Sequence, residues 1–487
     1  MKKTKKIMTL VMALTMSALT LAGCGGKETS TITDDESKPY EINWAYAISP
    51  DEDLEMVNEK VNEYVSNKIN ATVKMMPLDA YNQKINNMMN SGEKLDLFWQ
   101  DGTDFLKRAF DGELYDITDI ANEYAPKTME ALGELMLKGS EVNGRRYSIP
   151  ANKDKAQYTV VAYRKDIADK YGIDMSGVKT LKDLYPILDI IKEKETGMTP
   201  FGVAGAREVW TVERKLNDRL FASDYFGITE EDDKIISFFE SDLFKNACVQ
   251  AHEMYNLGYI YKDCAIIDNL SEQMKSGKVF CWLEQSMPGK MQELSNSYGY
   301  DLAEVQLTPI TTSSLDTNGS HMVIPFNCEN PVRVMKFVEL LNTDEYLNRL
   351  INFGIEGVHF DSVSEDVIKK NGSKGYKNVI GMHWMLGNTF LGYTWDNEDP
   401  EKFTKIDAFN NESTQSDYLG FFFNPENVES QMTACNIAKS EYFRNLTYGA
   451  VDPEVELPKF ISKLKAAGID DIIAEAQKQF DEWKALK

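Results

Sequence analysis

At several points where a strand is expected to end, this chain sets an aromatic ring beside a carboxylate or an amide. Trp44 and Tyr46 close the first expected strand, Gln100 and Asp101 follow Trp99, and Leu283 and Glu284 follow Trp282. Glu356 sits in the run Gly354-Ile355-Glu356-Gly357, while Trp384 and Trp395 occupy an aromatic, glycine-rich stretch of the last third. A ring offers an apolar face, a carboxylate accepts hydrogen bonds, and an amide both donates and accepts them. That chemistry holds a ligand without making or breaking a bond. In open α/β sheets ligands gather at the carboxyl ends of the strands, which is why residues just past a strand stand out. Plainer roles stay open for each: core packing for a tryptophan, a helix cap or solvated loop for an acid, a held turn for Glu356.

Other chemistries find little support. There is no H-E-x-x-H, no G-x-S-x-G and no phosphate loop. The histidines His252, His321, His359 and His383 lack metal-ligand spacing, so neither a metal nor a cofactor is expected. Cys248, Cys264, Cys281, Cys328 and Cys435 contain no C-x-x-C and are expected as buried free thiols, with a single bridge as the alternative.

The elements that must position these residues alternate regularly. Glu41–Tyr46 reads as a strand, and a helix opens at Asp51-Glu52-Asp53 with Leu54, Val57, Val61, Tyr64, Val65 and Ile69 along one face. Strands are expected over 71–76 and 95–99, with a helix over 81–90 between them that stops at Ser91-Gly92. The pattern resumes with strands at 158–163, 277–283 and 322–325, and helices at 165–171, 181–194, 243–256 and 331–341. Such alternation predicts βαβ units and a mostly parallel sheet. Beyond Gly354 it weakens, until an amphipathic helix over 470–486.

The amino terminus carries a different message. Lys2, Lys3, Lys5 and Lys6 precede an apolar run from Ile7 to Leu21, which at 15 residues is too short for a spanning helix. Leu21-Ala22-Gly23-Cys24 resembles the lipobox of bacterial lipoproteins, which implies cleavage before Cys24 and thioether lipidation of its sulfur. Gly25 to Pro39 is rich in Gly, Ser, Thr and charge, and reads as a flexible leash. Loss of the four leader lysines takes the net charge from −24 to about −28, a surface that repels nucleic acid and anionic lipid. The remaining body of roughly 450 residues exceeds the length at which one core usually divides.

Several stretches resemble the extracellular solute-binding proteins of ABC importers, of the sugar-binding kind. Asn143-Gly144-Arg145-Arg146-Tyr147-Ser148-Ile149-Pro150 is similar to that family's turn near the first crossing between lobes. Tyr163-Arg164-Lys165-Asp166-Ile167 resembles its "YNkdl" segment with Arg164 for Asn, and Thr180–Leu184 its "TWdEl" with Leu181 for Trp. Ser276–Phe280 and Asn327–Asp344 match a further strand and helix. Asn352–Gly357 and Leu464–Trp483 resemble the uncharacterised C-terminal domain of one subgroup. The departures at Arg164 and Leu181 caution against transferring ligand contacts.

The resemblance implies an α/β, two-lobe periplasmic-binding-protein-like fold (type II) with a hinge and an interlobe cleft. The corresponding divisions are a signal peptide (1–23), anchor and linker (24–39), first lobe (40–155), second lobe (156–321), a return to the first lobe (322–365), and a C-terminal region (366–487) bracing the second lobe, its part in the cleft left open. It further implies a carbohydrate ligand, for which position and residue type make Trp44, Tyr46, Trp99, Asp101, Trp282, Glu284, Glu356, Trp384 and Trp395 the candidates, together with a monomer, membrane permease subunits as partners, and lipid at Cys24 as the anchor on the outer face of the membrane. A peptide- or other-solute-binding lipoprotein of the same fold is the alternative. An extracellular glycosidase, needing two carboxylates ~5–9.5 Å apart, is the enzymatic one.

Overall fold

The computed structural model describes residues 34–203, 225–228, 233–266, 270–372, 376 and 383–486; the signal segment, Cys24 and most of the leash lie outside the described residues. The chain begins β1 (Tyr40–Tyr46), α1 (Leu54–Ile69), β2 (Ala71–Pro77), α2 (Tyr81–Ser91), β3 (Leu97–Gln100), α3 (Gly102–Phe110) and β4 (Ser148–Pro150). It then forms β5 (Tyr158–Arg164), β6 (Thr199–Gly202), α4 (Asp242–Asn256), β7 (Val279–Ser286) and β8 (Leu302–Gln306). It returns through β9 (His321–Val323), α5 (Pro331–Thr343) and α6 (Glu345–Phe353), and ends in α7 (Glu429–Thr447), α8 (Pro453–Ala467) and α9 (Ile469–Ala485).

Two sheets result. The first has the order β2-β1-β3-β9-β4, with β1 parallel to β2 and β3, and β9 antiparallel to β3 and β4. Residues 42–46 of β1 are all buried, as a central parallel strand covered on both faces requires. α1 buries Val57, Val61 and Val65 and stops at Asn70, whose left-handed backbone (φ 47°) returns its N–H to Ser66 O. The second sheet, β8-β5-β7-β6, is mixed rather than mostly parallel. β5 leaves the crossing region while β7 and β8 run back toward it, so both oppose β5.

Side chains around Trp44, Phe98, Phe105 and Phe337 form the first core; Phe201, Cys281, Leu283 and Met254 belong to the second. A third, phenylalanine-rich cluster joins Phe239 and Phe244 to Phe460 and Phe480, and so docks α7–α9 on α4. The described residues between 367 and 395 belong elsewhere: Ile368, Met385 and Leu386 are buried in the first core, not against the second lobe. The five cysteines of the described residues are free thiols, four of them buried.

Three segments run between the sheets and are sewn together. Gln157 and Thr311 exchange backbone hydrogen bonds (3.0 and 2.9 Å), and Thr311-Thr312 pairs in parallel with Thr414-Gln415. Thr312 and Ser413 share a hydroxyl contact of 2.7 Å, and Asn410 Oδ1 accepts the Lys155 N–H at 2.9 Å. At the opposite, amino end of β1, the fully buried Arg333 of α5 donates from Nη1 to the carbonyls of Asn70 (2.7 Å) and Lys38 (3.3 Å).

Candidate functional site

The parallel strands of the first sheet end where the crossing segments attach, because β9 starts with His321 opposite Gln100 and Pro150. At this edge three rings meet. Trp99 packs against Tyr81 (centroids 5.8 Å) and edge-on against Trp384 (6.0 Å, 78°). The Trp99 indole donates to Ser320 Oγ at 2.9 Å, and its carbonyl accepts the Tyr81 hydroxyl at 2.6 Å. Burial pushes the Tyr81 phenol well above its usual range, so it stays a neutral donor. Trp384 is half-buried, and Trp99 is buried with 9% of its surface exposed. Next along the chain, the Asp101 carboxylate accepts the N–H groups of Thr103 and Asp104 (2.9 and 3.0 Å) and caps α3. Gln100 is wholly buried and accepts from Arg108 Nε at 2.7 Å.

The junction beneath these rings is a buried polar chain. His321 bonds Ser148 Oγ through Nδ1 (2.8 Å) and Asn318 Oδ1 through Nε2 (2.7 Å), and its ring stacks on Phe105 at 4.2 Å. Burial holds its pKa down to about 3, so the imidazole is neutral. Gly102 lies so close that a Cβ there would meet the Asn318 carbonyl at 1.9 Å; only glycine admits this approach.

The second sheet offers carboxylates at the corresponding edge. Glu304 accepts from the Tyr158 hydroxyl (2.7 Å) and Ser286 Oγ (2.5 Å), and the Tyr158 ring meets Phe409 edge-on at 5.3 Å. Burial and the Glu304 carboxylate together raise the Tyr158 pKa. Glu284 is half-buried and accepts from Trp282 Nε1 (3.1 Å) and the Gln285 N–H (3.1 Å). Aromatic surface on one edge and oriented carboxylates on the other can stack on, and hydrogen-bond to, a polyhydroxylated ring.

The expected site residues divide. Trp99, Asp101 and Trp384 come together at the first edge, and Glu284 stands at the second. Trp44 and Tyr46 do not line a cleft: both have no exposed surface, and Trp44 is covered by Phe337 (5.5 Å) and Tyr46 (5.0 Å). Trp282 is likewise fully buried in the second lobe, with its indole N–H spent on Glu284. Glu356 is exposed on a tight turn that bridges to Phe360. Trp395 is half-buried, 6.2 Å from Phe353 and beneath the Lys370 ammonium. Tyr81, Tyr158, Glu304, Phe409 and Ser320 were not singled out by sequence. Tyr158 alone carried a usable signal, as the first residue of an expected strand.

Residues 417–485 match a family model described as "Domain of unknown function (DUF3502)". A carbohydrate ABC transporter substrate-binding protein of Streptococcus pneumoniae serotype 4 is 27% identical, covering 99% of each chain. Lipoprotein LipO of Bacillus subtilis is 25% identical over 75% of this chain and 77% of its own. Among solved structures, the N-glycan transport solute binding protein NgtS of S. pneumoniae superposes with a TM-score of 0.82 at 27% identity, covering 91% of this chain and 99% of its own. The same protein in complex with Man5GlcNAc gives 0.72 at 27% identity, over 92% and 99%. These are two-domain solute-binding proteins, and the mixed α/β architecture here shares their fold.

Proposed function

We propose, from the premise that this chain is a homologue of the carbohydrate ABC transporter substrate-binding proteins with a DUF3502 C-terminal domain, that it captures an oligosaccharide between its two sheets and delivers it to an ABC permease. The observation that carries the reading is the ring cluster Tyr81–Trp99–Trp384 at the carboxyl ends of the first sheet. Glu284 and Glu304 supply acceptors at the second edge. The relative whose structure is complexed with Man5GlcNAc supports a mannose-containing ligand class. Closure of the second lobe about the three crossings would bring these carboxylates onto the ligand.

In this reading the ligand stacks on Trp384 and Trp99, and the second lobe swings its carboxylates onto the hydroxyl edges. The chain acts as a monomer and performs no covalent chemistry, as its homologues are binding proteins of transport rather than enzymes. Lipid on Cys24 keeps it at the outer membrane face, a role supported by the lipoprotein relative. Calorimetry against Man5GlcNAc, smaller mannosides and short peptides tests the proposal. Carbohydrate should bind, and Trp384→Ala should weaken it about tenfold, the order expected for one lost stacking partner. Binding of a peptide with no response to any carbohydrate would overturn the ligand class, and unchanged affinity in both Trp99→Ala and Trp384→Ala would overturn the site.

A further inference from the structure

We infer that Asn348, Asn352 and Asn388 form a buried amide ladder that positions the Trp384 ring, so that ligand affinity depends on the α5–α6 hairpin behind the cleft. The inference rests on the ligand-binding reading given above.

Four asparagines line the inner face of this hairpin and the loop docked on it: Asn342, Asn348, Asn352 and Asn388, none more than 6% exposed. Asn352 Nδ2 donates to the Leu386 carbonyl at 3.2 Å, and Asn348 Nδ2 donates to the Asn388 carbonyl at 3.1 Å and the Leu341 carbonyl at 3.0 Å. Asn388 answers in the reverse direction, its Nδ2 donating to the Asn342 carbonyl at 3.1 Å while its Oδ1 accepts the Phe390 N–H at 3.1 Å. Two loop carbonyls and one loop side chain are therefore fixed to two helices. Between them Gly387 adopts φ +97°, and a Cβ at that position would stand 2.8 Å from the Leu341 side chain.

On its other side the loop joins the first crossing. Thr389 N–H donates to the Asn152 carbonyl (2.8 Å), and Asn152 N–H donates to the Gly387 carbonyl (3.2 Å). Trp384 immediately precedes this fixed segment, its own carbonyl accepting from Ser320 Oγ at 3.4 Å, and that same hydroxyl accepts the Trp99 indole N–H. The ladder thus sets the height and tilt of one indole against the other.

Stability alone does not account for these amides. Among the described residues, Asn342 Oδ1 and Asn352 Oδ1 are buried without a hydrogen-bond partner, a cost that apolar side chains would not incur. Directional bonds to particular carbonyls fix a register that apolar contacts leave free. Asn348, Asn352 and Asn388 are accordingly positioning residues, acting through Trp384 and touching no ligand.

A double-mutant cycle in the full chain tests this, with Man5GlcNAc as the probe and Trp384 emission (wild type minus Trp384→Phe) as a second readout. Asn352→Leu should weaken Man5GlcNAc about tenfold and make the Trp384 emission more open to acrylamide. In a Trp384→Ala background the same change should cost less than about twofold, since coupled residues are not additive. Asn388→Ala, nearer the surface, runs in parallel, and circular dichroism confirms that each variant folds. Additive effects in the cycle, or an unchanged Trp384 signal, would overturn the ladder while leaving the ligand reading intact. Full affinity in Trp384→Ala alone would also overturn the ladder, whereas unchanged affinity in both Trp99→Ala and Trp384→Ala, or no binding by the wild type, would bring down the parent reading and the ladder with it.

Discussion

A neutral histidine sealed against Phe105 makes the junction of the two lobes sensitive to acid. In the folded chain burial holds His321 at a pKa of about 3, whereas an unfolded histidine titrates near 6.5. Between those values the unfolded chain binds the additional proton, so stability falls as pH drops below about 6.5 and the loss is complete near 3. The contribution is at most about 1.4 kcal/mol per pH unit. Thermal melts from pH 7 to pH 5 should therefore slope less steeply for His321→Gln than for the wild type. Equal slopes would show that other groups govern the acid limb. Ser148 and Asn318 give the imidazole its two partners, so the group is held neutral with both nitrogens satisfied.

Among the elements, the C-terminal helices are fixed to the second lobe by interlocked aromatic rings. Phe460 of α8 is fully buried and meets Phe239 at 5.0 Å and Tyr442 at 5.6 Å. Phe460→Ala should cost about 3–5 kcal/mol, read as a lowered calorimetric transition, while an unchanged transition would show that the three helices unfold independently of the rest. The first half of this architecture was legible because its signals are local. Val57, Val61 and Val65 recur at helical spacing, and Gly92 ends α2 in a left-handed turn, as Ser91-Gly92 suggested. α7 and α8 escaped notice: α7 buries only Cys435, Ala438, Leu446 and Thr447 along nineteen residues, and α8 carries Pro458 inside it. Neither writes a clear apolar stripe. The site was half legible for a related reason. Strand-end position drew attention to Trp44 and Trp99 alike, but it cannot tell a ring at the sheet edge from one covered on every side. Trp44 is covered by Phe337, and Trp99 gains its partner from Trp384, contacts between residues far apart in sequence.

At the scale of the molecule, capture and delivery meet in the way the chain is held. Cys24→Ala should release the protein from cells into the medium while leaving its sugar affinity unchanged, measured by fractionation and calorimetry. Retention on the membrane would show a second anchor. The segment that leads out of that leash is described from residue 34 onward. Among the described residues, its end is held on the first lobe through the clamp that Arg333 places on the carbonyls of Lys38 and Asn70, reinforced by Asn70 Nδ2 on the Glu36 carbonyl and by the Lys336–Glu36 ion pair. The clamp lies at the amino ends of the parallel strands, whereas Trp99 and Trp384 lie at the carboxyl ends. A mechanical load applied through the amino terminus is therefore taken up by buried guanidinium bonds at the far end of the sheet. Drag from flow or a moving wall would tug on the frame of the first lobe without prying at the jaws, and cargo would stay seated on a protein under tension.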